Sequence, residues 1–125
     1  MSYSWRSAEE YRSSAYPTVK YRISKMSMGR RLELTRRMRD LTKRLEFATA
    51  AAATSTDDKM EAAILAGEVD RLYWEFALES IEGIQMNGDE ISPTTQFELG
   101  PEDLSREILM RIKQQTQLTD AERKN

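Results

Sequence analysis

Two apolar stripes at helical spacing, separated by a short polar segment, constrain this chain more than any other feature. Leu34, Met38, Leu41 and Leu45 recur at i, i+4, i+7 and i+11, the spacing that lines one side of an α-helix. Ala62, Leu65, Val69, Leu72 and Phe76 repeat the pattern. Between them, "ATAAAATSTDD" prolongs the first helix with alanine and then supplies N-cap residues for the second. The spacing predicts helices over about 28–49 and 57–82, the first capped by Ser27 and the second ended by Gly83. Stripes of matching length joined this closely predict an antiparallel helix hairpin. A further stripe, Trp74, Leu78 and Ile81 at i, i+4 and i+7, falls on the far side of the second helix. A helix apolar on two sides is either sandwiched in its own fold or covered by another chain. The remaining helices are short for that task, so these three residues are expected to bind a partner.

The flanking elements follow from local signals. In "TVKYRIS", Val19, Tyr21 and Ile23 alternate with Lys20 and Arg22, the period of a short strand. Asn87-Gly88, set between Ile84/Met86 and Ile91, is the dipeptide of a type I′ turn and predicts a small hairpin with Gly88 at positive φ. Ser92-Pro93 opens a short helix over "TTQFEL", and Gly100 stops it. Pro101-Glu102-Asp103 starts another, its acids at the positive end and Leu104, Ile108 and Ile112 on its buried side. Thr119 and Glu122 fit a capping box. The fold expected is mainly α: an antiparallel helix hairpin plus short C-terminal helices, with a short N-terminal strand and a small Asn-Gly hairpin. Residues 1–18, with Tyr3, Trp5, Tyr11 and Tyr16, read as a flexible or partner-docking arm, Trp5 and Tyr11 providing contacts. Residues 19–125 read as a single helical domain.

The chain has no cysteine and no histidine. That removes disulfides, thiolate zinc sites, Cys nucleophiles and Ser-His relays. Glu75, Glu79 and Glu82 follow one helix edge, while Asp89-Glu90 and Glu102-Asp103 occupy turn and cap positions. Solubility and helix capping account for them. "NGDEISPTTQFE" lacks the central glycine of a calcium loop and is interrupted by Pro93. No catalytic, cofactor or metal residue is therefore expected, and no enzyme activity. No apolar run approaches the ~20 residues of a membrane helix, and the polar N-terminus does not resemble a signal peptide. A cytoplasmic location follows as the expectation.

Charge is unevenly placed. Residues 1–56 carry twelve basic and five acidic side chains, and residues 57–103 carry two basic and thirteen acidic. Such asymmetry suits ion pairs within the fold, or contact with a charged partner or a second copy. The densest run, "GRRLELTRRMRDLTKR" over 29–44, turns Arg36, Arg39 and Lys43 to the side opposite the Leu34/Met38/Leu41 stripe. Glu33 can reach Arg37, and Asp40 can reach Arg44, at i, i+4. The three outer cations form a basic surface, but a nucleic-acid-binding domain is normally basic throughout. This chain has a pI near 5.3, which argues for a solvated or protein-facing surface. A nucleic-acid-binding regulator is the weaker alternative.

With these residues read, the chain resembles small proteins encoded beside tail genes in phages and prophages, grouped loosely with tail assembly chaperones. The likeness rests on the helix with Trp74, on Ile81-Glu82-Gly83-Ile84 and Met86-Asn87-Gly88, and on Gly100-Pro101-Glu102-Asp103-Leu104. Glu107-Ile108 and the closing Glu122-Arg123-Lys124-Asn125 extend it, as does the upstream "VKYRISKMSMGRRLEL", so that it covers about residues 18–125. The resemblance implies a small, mainly helical, non-enzymatic protein. It would bind phage tail proteins, such as the tape-measure or tube protein, before the tube assembles. A structural tail or neck component is the alternative within the same setting, and a homo-oligomer is compatible with either.

Overall fold

The computed structural model describes residues 8–116. Within them the protein is mainly helical, with four helices, a three-stranded antiparallel sheet and a two-stranded hairpin. Trp5, and the capping box expected at Thr119 and Glu122, lie outside the described residues.

Three of the helices begin on a serine whose side chain accepts an otherwise unpaired backbone N–H of the first turn. Ser27 accepts from Arg30 N at 3.1 Å and starts α1 (Met28–Ala51). Ser55 accepts from Asp58 N at 3.3 Å and starts α2 (Thr56–Ala77), with Asp57 and Asp58 in its first turn. Ser92 accepts from Thr95 N at 3.1 Å and starts α3 (Pro93–Leu99), where proline sits at the front of the helix and loses no hydrogen bond. The last helix, α4 (Glu102–Thr116), carries Glu102 and Asp103 in its first turn. The helices α1 and α2 touch at both ends of their length. Arg44 reaches Glu61 at 3.4 Å near the connecting turn. At the far end Arg30 donates to the Phe76 carbonyl at 2.8 Å and lies over the Phe76 ring.

The second helix ends earlier than its apolar spacing predicts. It stops at Ala77, and Leu78–Glu82 leaves it directly as a strand, β3, not as a last helical turn. This strand pairs antiparallel with β2 (Lys20–Ser24), which pairs in turn with β1 (Ala8–Arg12). The register explains the misreading. Tyr21 faces Ile81 and Ile23 faces Leu78, so a two-residue step on β2 matches a three-residue step on β3, through a bulge. The bulge keeps Leu78 and Ile81 on one face at the i, i+3 spacing that otherwise signals a helix.

The segment read as an arm also differs where it is described. Residues 8–12 are β1, an edge strand of the sheet, and residues 13–16 turn back onto α4. Little in "AEEYR" announces a strand, because only one of its faces is covered.

The core joins all these elements. Val19, Tyr21 and Ile23 meet Leu34 of α1, Tyr73, Trp74 and Ala77 of α2, Leu78 and Ile81 of β3, and Leu104, Ile108 and Ile112 of α4. Of the stripe predicted on α1, only Leu34 is fully buried; Met38, Leu41 and Leu45 are half-buried. On α2, Leu65 is buried, while Ala62, Val69, Leu72 and Phe76 are half-buried. Toward the turn the two helices therefore cover each other along one seam and leave their outer sides to solvent. The hairpin of β4 (Gln85–Met86) and β5 (Asp89–Glu90) turns at Asn87 and Gly88, with φ of 55° and 86°. Those are the two left-handed residues that a type I′ turn requires.

Candidate protein-binding surfaces

The residues expected to bind a partner on the second helix are instead interior. Trp74 is 2% exposed, and Leu78 and Ile81 are 7% exposed. The indole N–H of Trp74 donates to the Pro93 carbonyl at 2.8 Å, and its ring meets Phe97 edge-on with centroids 5.3 Å apart. The N–H is satisfied and the ring is packed, so no part of this group is left for another chain. The reason is the strand: β3 turns Leu78 and Ile81 onto β2, and α3 closes over Trp74.

Tyr11 is likewise engaged within its own chain. Its ring stacks on Tyr21 at 5.8 Å between centroids, and the Arg111 guanidinium lies 4.7 Å from its centre. Its hydroxyl donates to Glu9 Oε2 at 2.5 Å. Desolvation, then the hydrogen bond to Glu9, pushes the Tyr11 phenol from 10.0 up to about 12. A raised pKa means that the fold favours the neutral phenol. Its contribution to stability is fully present below pH 10 and is lost as pH rises from 10 through about 12. Tyr11→Phe should therefore flatten stability against pH across that window relative to the parent, followed by denaturant melts at stepped pH. An unchanged slope would remove Tyr11 from the account.

The turn beside Tyr11 is held by a residue with no sequence signal of its own. Glu107 Oε1 accepts the backbone N–H of Ser14 at 3.0 Å and of Ala15 at 3.2 Å. Tyr16 adds a hydroxyl hydrogen bond to Asp103 at 2.8 Å. These partners are about ninety residues apart in the chain, so only the folded arrangement brings them together.

Two surfaces among the described residues combine exposed apolar and charged side chains. The first is a shallow groove between α2 and α4, lined by Asp70, Arg106, Leu109, Met110, Lys113 and Gln114. Lys113 bridges it to Asp70 at 2.7 Å and lies 5.6 Å from the centre of the Tyr73 ring. Leu109 is half-buried in it, and Met110 is 64% exposed at its rim. The second is the outer side of the α1/α2 pair. Arg36, Arg39 and Lys43 all face solvent there. Arg36 and Arg37 share Glu33, at 2.8 and 2.9 Å. Asp40 does not answer Arg44, which turns to Glu61 on the other helix. Arg39 and Lys43 form no ion pair among the described residues. Sequence reasoning found these three cations but missed the apolar residues beside them. Leu32, Phe47, Met60 and Ile64 stand outside the buried stripes and are all exposed.

Among the described residues, no group of three or more Asp and Glu side chains is placed to hold a metal ion, and no helix is long and apolar enough to cross a membrane. Comparison with protein-family models, with curated proteins and with solved structures finds no match to this chain.

Proposed function

We propose that this chain is a non-enzymatic protein-binding factor in phage or prophage virion assembly, a tail assembly chaperone that holds the tape-measure or tube protein before the tube forms. The phage setting rests on the resemblance of residues 18–125 described above. The observation that supports protein binding is the α2/α4 groove, where Leu109 and Met110 present apolar surface beside the Asp70–Lys113 pair. Apolar surface rimmed by charge is what a partner's apolar segment needs: area to bury and polar groups to fix its direction. In this reading α1 and α2 form an antiparallel hairpin that carries the groove, and the host-cell cytoplasm is where the binding takes place.

The composition of the particle tests the role. A chaperone co-purifies with a tail protein from phage-producing cells but is absent from finished virions. Presence in purified particles at a fixed ratio to the tube protein would identify a structural tail or neck component instead.

A further inference from the structure

The outer sides of α1 and α2 are complementary to each other, and they cannot meet within one chain, although Glu61 at the edge of the α2 face already reaches Arg44 of its own chain at 3.4 Å. On α1, Leu32, Arg36, Arg39, Lys43 and Phe47 follow at i, i+4, i+7, i+11 and i+15, which sets them along one face opposite the buried Leu34/Ala48 line. This face has three cations in the middle and an apolar side chain at each end, with Leu32 57% and Phe47 78% exposed. It spans about 22 Å of helix, at roughly 1.5 Å per residue. On α2, Asp57, Glu61, Ile64, Glu68 and Glu75 form a second face at the same kind of spacing. All five are exposed, and Met60 extends the apolar part beside Ile64. Arg71, also on that side, is occupied by Glu98 at 2.5 Å. The charge balance of the helices is opposite: α1 holds seven basic and three acidic residues, α2 six acidic and two basic.

We infer that the basic face of α1 docks on the acidic face of α2 in a second copy of this chain, so that copies associate head to tail. Set side by side with their turns at the same end, the two helices run antiparallel, as they do within one chain. Phe47 then meets Met60 and Ile64 near the turn. Moving away from the turn, Lys43 falls between Glu61 and Glu68, Arg39 beside Glu68, and Arg36 between Glu68 and Glu75. Burying the aromatic and aliphatic side chains supplies the apolar contribution, and the charges set direction and register. Because different faces meet, each pair of copies keeps one face of each kind free, and the contact continues until a ring closes. The inference does not depend on the function proposed above, since it uses the outer helix faces and not the α2/α4 groove. A nucleic acid is the poorer occupant of the α1 face. Leu32 and Phe47 offer it nothing, and the acidic face of the same protein would repel it.

Sedimentation of the full chain over a concentration series, at low and high salt, tests the inference with two charge-reversed variants. The parent should associate beyond a dimer and dissociate as salt screens the contact. Arg36→Glu/Arg39→Glu/Lys43→Glu and Glu61→Lys/Glu68→Lys/Glu75→Lys should each weaken self-association by roughly 100-fold or more, because like charges then face each other. Circular dichroism should show both variants folded, as expected for exposed sites. An equimolar mixture of the two should associate again, since the unaltered α2 face of the first matches the unaltered α1 face of the second, and their two altered faces match each other. A parent that stays monomeric at high concentration, variants that associate as the parent does, or a mixture that stays monomeric would each overturn the inference. So would duplex DNA that binds the α1 face and displaces the second copy.

Discussion

Gly83→Ala is expected to unfold the protein or destabilise it by more than ~3 kcal/mol, while Gly88→Ala, at the same positive φ, should cost only about 1–2 kcal/mol. Both glycines have φ of 86°, so the conformational contribution is shared. What differs is the space around them. A methyl group on Gly88 meets nothing, whereas one on Gly83 falls onto the backbone carbonyl of Thr18. That carbonyl cannot rotate aside as a flexible side chain would, because it belongs to the segment entering β2. The same approach is tied by the Thr18 hydroxyl, which donates to the Gly83 carbonyl at 3.2 Å. Moving Thr18 also moves Val19, which is 1% exposed in the core. Denaturant melts of the two variants side by side give the comparison. Equal losses would mean that β2 does not press on the end of β3.

Trp74→Ala should cost roughly 3–5 kcal/mol, the range for deleting a large buried aromatic. The ring lies between α2 and α3, and Phe97 packs edge-on against it only while it is there. Its removal also leaves the Pro93 carbonyl without its donor. Trp74→Phe should be milder, since it keeps most of the apolar volume and loses the hydrogen bond. A Trp74→Ala loss below ~1 kcal/mol, well short of that range, would show that the ring is accessible after all and would return this residue to the list of partner contacts.

Locally encoded features were legible in the sequence. The alternation of Val19, Tyr21 and Ile23, the Asn87-Gly88 turn, the Ser27 and Ser92 starts, and the Leu104/Ile108/Ile112 face all depend on residues a few positions apart. Features set by distant partners were not. The step from helix to strand at Ala77 is decided by β2, fifty-odd residues upstream, and the bulge opposite Ile23 disguises it with helical spacing. Residues 8–12 become a strand only because β2 offers an edge. Glu107 reads as an ordinary surface acid until the turn at Ser14 and Ala15 folds onto it. For the candidate surfaces the balance was similar. The exposed cations Arg36, Arg39 and Lys43 followed from the wheel. The groove did not, because Leu109 and Met110 sit beside the predicted buried face of α4 and their neighbour Asp70 is on another helix.

In the function proposed above, a tail component is held in the α2/α4 groove. Co-expression with phage tape-measure and tube proteins tests it most directly, read as the amount of each held in a soluble complex after affinity purification. The parent chain should retain one tail protein at one-to-one or higher, and Met110→Asp, at a side chain that is 64% exposed, should lose it while circular dichroism and the melting temperature stay near the parent's. Equal retention by parent and variant, or no soluble complex with either tail protein, would contradict it.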